Sequence, residues 1–312
     1  MSEYQYYEFQ ALDHPLTHDA QAEMRRLSSR VQLTATSASF VYNYGDFPGD
    51  PYDVLAQHFD AMLYITNWGT RQLMFRFPAE AMADAVMNAY HYADSLEWSI
   101  EGEYVILNIE LNEEEGYDGW IEGEGILVGM VQLRHDLLRG DYRALYLAWL
   151  MSAQNELVVL EDDEDLTEPP VPSNLQALSP ALHSFIDFFK IDLDLVTAAS
   201  QSSRTAGKSD EKPDANIDRL SEAEKRDFLM RLLNGEAYLD IALANRLREL
   251  SDSGKVESTM SERRSIRQIF AASEVVRQQR LDVEQQKTKA ARLKKLERIA
   301  GEEDQLGVGF PA

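Results

Sequence analysis

Residues 96–111 read LEWSIEGEYVILNIEL, two runs of β-branched and aromatic side chains separated by Glu101-Gly102-Glu103. Gly102 supplies the backbone freedom that a tight turn needs, so the stretch predicts a β-hairpin with antiparallel pairing. Just upstream, Leu73, Phe75 and Phe77 alternate with Arg71, Met74 and Arg76, the period of a strand that Pro78 ends. AEAMADAVMNAY at 79–90 then returns to helical spacing. Towards the N-terminus, YQYYEFQAL at 4–12, with Tyr4, Tyr6 and Phe9, and SFVYNY at 39–44 predict two further strands. His14-Pro15-Leu16-Thr17 reads as a turn into a helix capped by Thr17. Asp50, Pro51 and Asp53 fit the N-cap, first position and acidic first turn of another. Leu55, Phe59, Met62 and Thr66 recur at helical spacing, joined by Val54 and Leu63, so this second helix is expected to run on until Gly69.

Towards the C-terminus, Leu133, Leu137 and Leu138, then Leu145, Leu147, Trp149 and Leu150, predict two helices broken at Gly140-Asp141. EDDEDLTEPPVP at 161–172 predicts an extended, solvated connector, and Ser179-Pro180 the start of a short helix carrying Phe185, Phe188 and Phe189. Residues 201–217 lack apolar periodicity and read as a flexible linker. Beyond them, Ser221 with Glu224 matches a capping box, Asn234-Gly235 a stop, and a second helix runs through Ile241 and Leu247 to Ser251. Thr259 with Glu262 matches a second box. A long exposed helix follows from about 260 to 300, and Arg280, Gln285 and Gln286 interrupt its heptad seam. The ending LGVGFPA drops the helical pattern. The expected architecture is α+β: a small antiparallel sheet with packed helices in residues 1–200, a linker at 201–217, and a mainly α-helical region in 218–312 with one long helix.

Charge divides along the same line. Of the net −24, residues 1–200 hold nine basic and 34 acidic side chains, while residues 201–312 hold 21 basic and 20 acidic. A segment so negative repels phosphate backbones, which restricts nucleic-acid contact to the tail. There residues 255–298 carry 12 basic and six acidic side chains, and Arg263, Arg264, Arg267, Arg277 and Arg280 are the candidate contacts for a partner or nucleic acid. The alternatives for the same residues are a solvated mixed-charge helix, or a helix folded against its own acidic body.

With no cysteine in 312 residues there is no thiolate metal site, disulfide framework or cysteine nucleophile, which fits a reducing cytosol. The start MSEYQYYEFQ has neither a basic n-region nor an apolar h-region, and no apolar run approaches a bilayer's span, so a cytoplasmic protein without membrane contact is expected. Carboxylates crowd residues 94–124, where Glu113, Glu115 and Asp118 are the candidate ligands for a hard cation. Their spacing is not that of a calcium loop, and the solvent face of a hairpin produces the same alternation. His14 and His18 lie four apart with Pro15 between them, which departs from the helical H-E-x-x-H pattern. Gly123 and Gly125 sit among carboxylates that oppose a pyrophosphate, with no lysine where a P-loop needs one. No cofactor and no catalytic residue is assigned.

YEFQALDHPLT at 7–17, with NWGTRQLMFRFP at 67–78, resembles the opening of a family of uncharacterised bacterial hypothetical proteins. The resemblance implies a bacterial cytosolic origin and carries over no functional residue. The expected function is a non-enzymatic protein–protein interaction subunit whose acidic domain takes a basic partner. The alternatives are a metal-dependent enzyme built on the hairpin carboxylates, a nucleic-acid-associated protein acting through its basic helix, and an acidic mimic of DNA.

Overall fold

Strand β5 (Thr70–Pro78) organises the molecule, pairing with β4 (Ala61–Thr66) on one side and β7 (Tyr104–Asn112) on the other. The computed structural model describes residues 4–92, 95–113, 122–156, 166–205, 217–236, 238–252 and 263–306. With β1 (Gln5–Gln10), β2 (Gln32–Leu33), β3 (Ser37–Tyr42) and β6 (Leu96–Glu101) the described strands form one antiparallel sheet of seven, in the order β2-β3-β1-β4-β5-β7-β6. The hairpin forms as read. Leu96 faces Ile109, Trp98 faces Leu107 and Ile100 faces Val105, and Gly102 turns the chain at φ +63°.

Register explains the two cores. Leu73 stands between Leu63 and Ile109, and Phe75 between Ala61 and Leu107, so one face presents a continuous apolar surface. Met74 stands beside Met62 on the other face, continuing into Tyr7, Phe9, Ala38 and Phe40. Helices α1 (His18–Leu27) and α2 (Pro51–His58) cover the second face. Thr17 and Asp50 cap them, accepting from the Ala20 and Tyr52 amides. The first face meets α3 (Asp84–Tyr90), α4 (Gln132–Leu138), α5 (Arg143–Glu156), α6 (Pro180–Phe188) and α7 (Leu193–Ser200). Both layers serve one sheet, the arrangement that buries the apolar stripe of every helix. The stretch 79–90 is a single 3₁₀ turn at Ala79–Ala81 followed by the shorter α3.

One element changes type. The helix expected to run to Gly69 ends at His58, where Phe59 turns extended (φ −131°, ψ 169°) and the Asp60 amide donates to the Gln10 carbonyl at 2.9 Å. Residues 61–66 are the central strand β4, and Gly69 (φ +109°) turns it into β5. Ala61, Leu63 and Ile65 face one layer and Met62 the other. Burial on both faces erases the period-two signature of a half-solvated strand, and the remaining apolar run mimics helical spacing. Gly123 is a packing glycine: a Cβ there would overlap the ring of Tyr6.

The tail forms α8 (Glu222–Leu233), α9 (Leu239–Asp252) and α10 (Ile266–Leu306). Ser221 and Glu224 make both bonds of the capping box, and Gly235 takes φ +69° just past α8. The box expected at Thr259 and Glu262 lies outside the described residues, as does the ending 307–312. Reciprocal bonds of this kind form at Ser265 and Gln268, the Ser265 amide donating to Gln268 Oε1 at 2.9 Å and the Gln268 amide to Ser265 Oγ at 3.3 Å. Ile241, Ile266 and Ile269 enter the same apolar core as Phe185 and Leu195, so the tail completes the larger core. Of the linker stretch, 206–216 lies outside the described residues. Its first part packs down, with the Ser203 hydroxyl donating to the Pro172 carbonyl at 2.7 Å. No helix among the described residues is long and apolar enough to cross a membrane.

Candidate functional site

The tail arginines meet α7 at both of its ends. The chain arrives at α10 through a short antiparallel contact, Thr167 opposite Ser265, in which the Glu168 amide donates to the Arg264 carbonyl and the Ile266 amide to the Leu166 carbonyl, each at 2.9 Å. That contact sets the Arg264 guanidinium on the Glu168 carboxylate, Nε to Oε2 at 2.9 Å and Nη2 to Oε1 at 2.6 Å. The same guanidinium donates to the carbonyls of Ala198 and Ala199 at 3.2 and 3.0 Å, where α7 ends and these carbonyls otherwise accept only the long closing-turn bonds from the Gln201 and Ser202 amides at 3.3 Å. Tyr146 donates its hydroxyl to Glu168 as well. Burial, with the Glu168 charge beside it, pushes that phenol above its ordinary value. Glu168 is 2% exposed, so the connector expected to be solvated buries one of its carboxylates, while residues 161–165 lie outside the described residues. A buried carboxylate persists there because guanidinium and phenol satisfy its oxygens.

At the other end of α7, Asp192 caps the helix by accepting from the Asp194 amide at 2.8 Å. Arg277 reaches Asp192, and Arg280 grips Asp194 with Nε to Oδ1 at 2.9 Å and Nη2 to Oδ2 at 2.8 Å. A carboxylate at the N-cap and another in the first turn suit the helix dipole, and here they also hold the neighbouring helix. Bonds from Arg280, with Arg277 adding its charge, hold the Asp194 carboxyl below its usual value although the residue is only 5% exposed. Arg264 lies at one end of α7 and Arg280 at the other, so α10 runs antiparallel to it over residues 264–280, with Ile266, Ile269 and Ser273 buried between the clasps.

The structure therefore places the five candidate arginines unequally. Arg264, Arg277 and Arg280 pair with carboxylates of this chain, Arg263 is exposed, and Arg267 is half-buried. Of the cation candidates, Glu113 pairs with Lys190 at 2.6 Å, and Glu115 and Asp118 lie outside the described residues. Among the described residues no group of three or more His, Asp and Glu is disposed to hold a metal ion. Past Arg280 the long helix leaves the body: every described side chain from Gln278 to Lys295 is exposed, including Leu281, Val283 and Leu293.

A second charged cluster was not legible as a site in the sequence. Asp60 accepts the amides of Leu12 and Asp13 at 2.7 and 3.0 Å and Arg76 Nη2 at 2.8 Å. Arg134 binds both oxygens of Asp13 at 2.9 and 2.7 Å, and Tyr238 donates to the same carboxylate. Burial alone raises the Asp60 carboxyl, but the Asp13 amide, Arg76, Arg134 and the Leu12 amide outweigh it and hold the group below its ordinary value. His14, His58, Asp60 and Arg76 face an open cavity of about 200 Å³ here, with His58 Nε2 3.1 Å from Glu23. His18 is exposed on α1. The only sequence signal for this cluster is Arg134 interrupting the apolar stripe of Leu133 and Leu137. Its carboxylates are bonded by groups of the chain itself, and it ties α4 and Tyr238 to the ends of the sheet's central strands. Comparison with protein-family models, curated proteins and solved structures returns no match to this chain.

Proposed function

We propose that the chain is a non-enzymatic protein–protein interaction subunit of the bacterial cytosol, an acidic body that holds out a long helical arm with a basic middle segment. The exposure of the arm carries this reading. Residues 281–306 extend α10 by about 39 Å at 1.5 Å per residue, and every described side chain on that stretch faces solvent. A helix bare on all sides gains little from its own sequence in water, so its natural complement is a surface outside the chain. The clasps at α7 hold its root and fix its direction.

Affinity capture from host extract with the intact chain and with a chain ending at Glu284 tests the reading. A stoichiometric protein partner retained by the first and lost by the second is expected. Absence of any partner for both overturns it. A shift of duplex DNA by the intact chain, weakening steeply as salt rises and abolished by the same truncation, moves the reading to nucleic acid.

A further inference from the structure

Residues 287–298 carry six basic side chains, Lys287, Lys289, Arg292, Lys294, Lys295 and Arg298, against the single acid Glu297. Among the described residues, Lys287, Lys289, Arg292, Lys294 and Lys295 are exposed and stand in no ion pair. The body of the same chain is the obvious complement, with 34 acidic and nine basic side chains in residues 1–200. It is out of reach. Buried Ile266, Ile269 and Ser273, with Arg277 and Arg280 on Asp192 and Asp194, pin the root of α10, and the helix runs on unbroken to Leu306. The basic segment begins about 10 Å along the helix beyond Arg280, the last residue of the clasp, and ends about 27 Å beyond it.

We propose that the arm's partner is a second copy of this chain, the basic segment of one copy docking on the acidic body of the other. This rests on the interaction-subunit reading and names its partner. Each copy offers one arm and one acidic surface, so reciprocal exchange closes the assembly at two copies, whereas one-way docking propagates. Leu293, 58% exposed in the middle of the basic segment, and Val283, 48% exposed at its root, add apolar area that docking removes from water.

The charge division also fixes the salt response. Each copy carries −24 overall, so at very low salt, where the Debye length reaches about 30 Å, whole molecules repel one another. Near physiological salt only local charges count and the arm meets its complement. At about 1 M salt the local pairs are screened too. Association therefore peaks at intermediate salt, while nucleic-acid binding weakens monotonically and a purely apolar contact does not weaken.

Sedimentation of the intact chain across a salt series, with carbodiimide cross-linking of a mixture of light and heavy-isotope copies, is the test. The expected results are a dimer maximal near physiological salt, and mixed-isotope links from Lys287, Lys289, Lys294 and Lys295 to carboxylates within residues 1–200. In Lys287→Glu/Arg292→Glu/Lys295→Glu, whose changes lie outside the core, association should weaken at least about tenfold. A monomer throughout the micromolar range, links confined to single copies, or a dimer unaffected by the triple change each overturns the inference. If the chain is monomeric but loses a different partner with the arm, the interaction reading stands and only the self-association falls.

Discussion

Glu168 and Arg264 show how a residue's role is set by a partner 96 positions away. The carboxylate is buried, bidentate to the guanidinium and bonded by the Tyr146 hydroxyl. Such a pair contributes little net stability over an apolar replacement, because desolvation offsets the attraction, yet removing one partner strands the other charge. Glu168→Ala is therefore expected to destabilise the protein by about 3–5 kcal/mol. Glu168→Met/Arg264→Met should recover most of that loss, both read from urea midpoints at constant slope. Equal losses in the single and double variants would mean that Arg264 is not stranded and that the carbonyls of Ala198 and Ala199 suffice for it. Nothing in EDDEDLTEPPVP distinguishes Glu168 from its neighbours. A charge run reads as solvated because most of its members are, and the exception is written in the position of Arg264 rather than in the run.

At the scale of elements, end signals were more legible than interiors. Thr17, Asp50, Ser179 and Ser221 cap helices where local side-chain chemistry demands it, and Gly102 turns the hairpin, since these depend on residues within three or four positions. Strand β4 carries no such local signal, because its type depends on two layers that cover it from elsewhere in the chain. The clasp between α7 and α10 is likewise a tertiary device, and its pH response follows from Asp194. A carboxyl whose pKa is lower in the folded state stabilises the fold fully above its unfolded value, near 3.9, and gives that contribution up as pH falls through the folded value. Hydrogen exchange along residues 266–280 is thus expected to lose protection as pH drops below about 4. In Arg280→Ala, protection at neutral pH should be lower from the start and the acid-dependent loss smaller. An unchanged acid profile in that variant would exclude Arg280 as the group that holds Asp194.

For the whole molecule, the charge division between residues 1–200 and 201–312 was countable from composition, but packing does not follow it. Ile241, Ile266 and Ile269 lie in one core with Leu145, Phe185 and Leu195, although the first three belong to the neutral tail and the others to the acidic body. Removing a single buried isoleucine side chain costs about 2–5 kcal/mol, so losing three together approaches the 5–15 kcal/mol that keeps an ordinary domain folded. Beyond Arg280 nothing described is buried. Two truncations should therefore behave oppositely in a thermal melt. A chain ending at Glu284 retains both clasps and every tail residue that is buried among the described ones, and its midpoint should stay within a few degrees of the intact protein. A chain ending at Ser200 exposes the face of α7 that α10 covers and leaves Glu168 buried without Arg264, so its cooperative transition should broaden or vanish. A sharp, unshifted transition in the shorter chain would mean that the first 200 residues hold their core unaided and that α10 merely rests upon it.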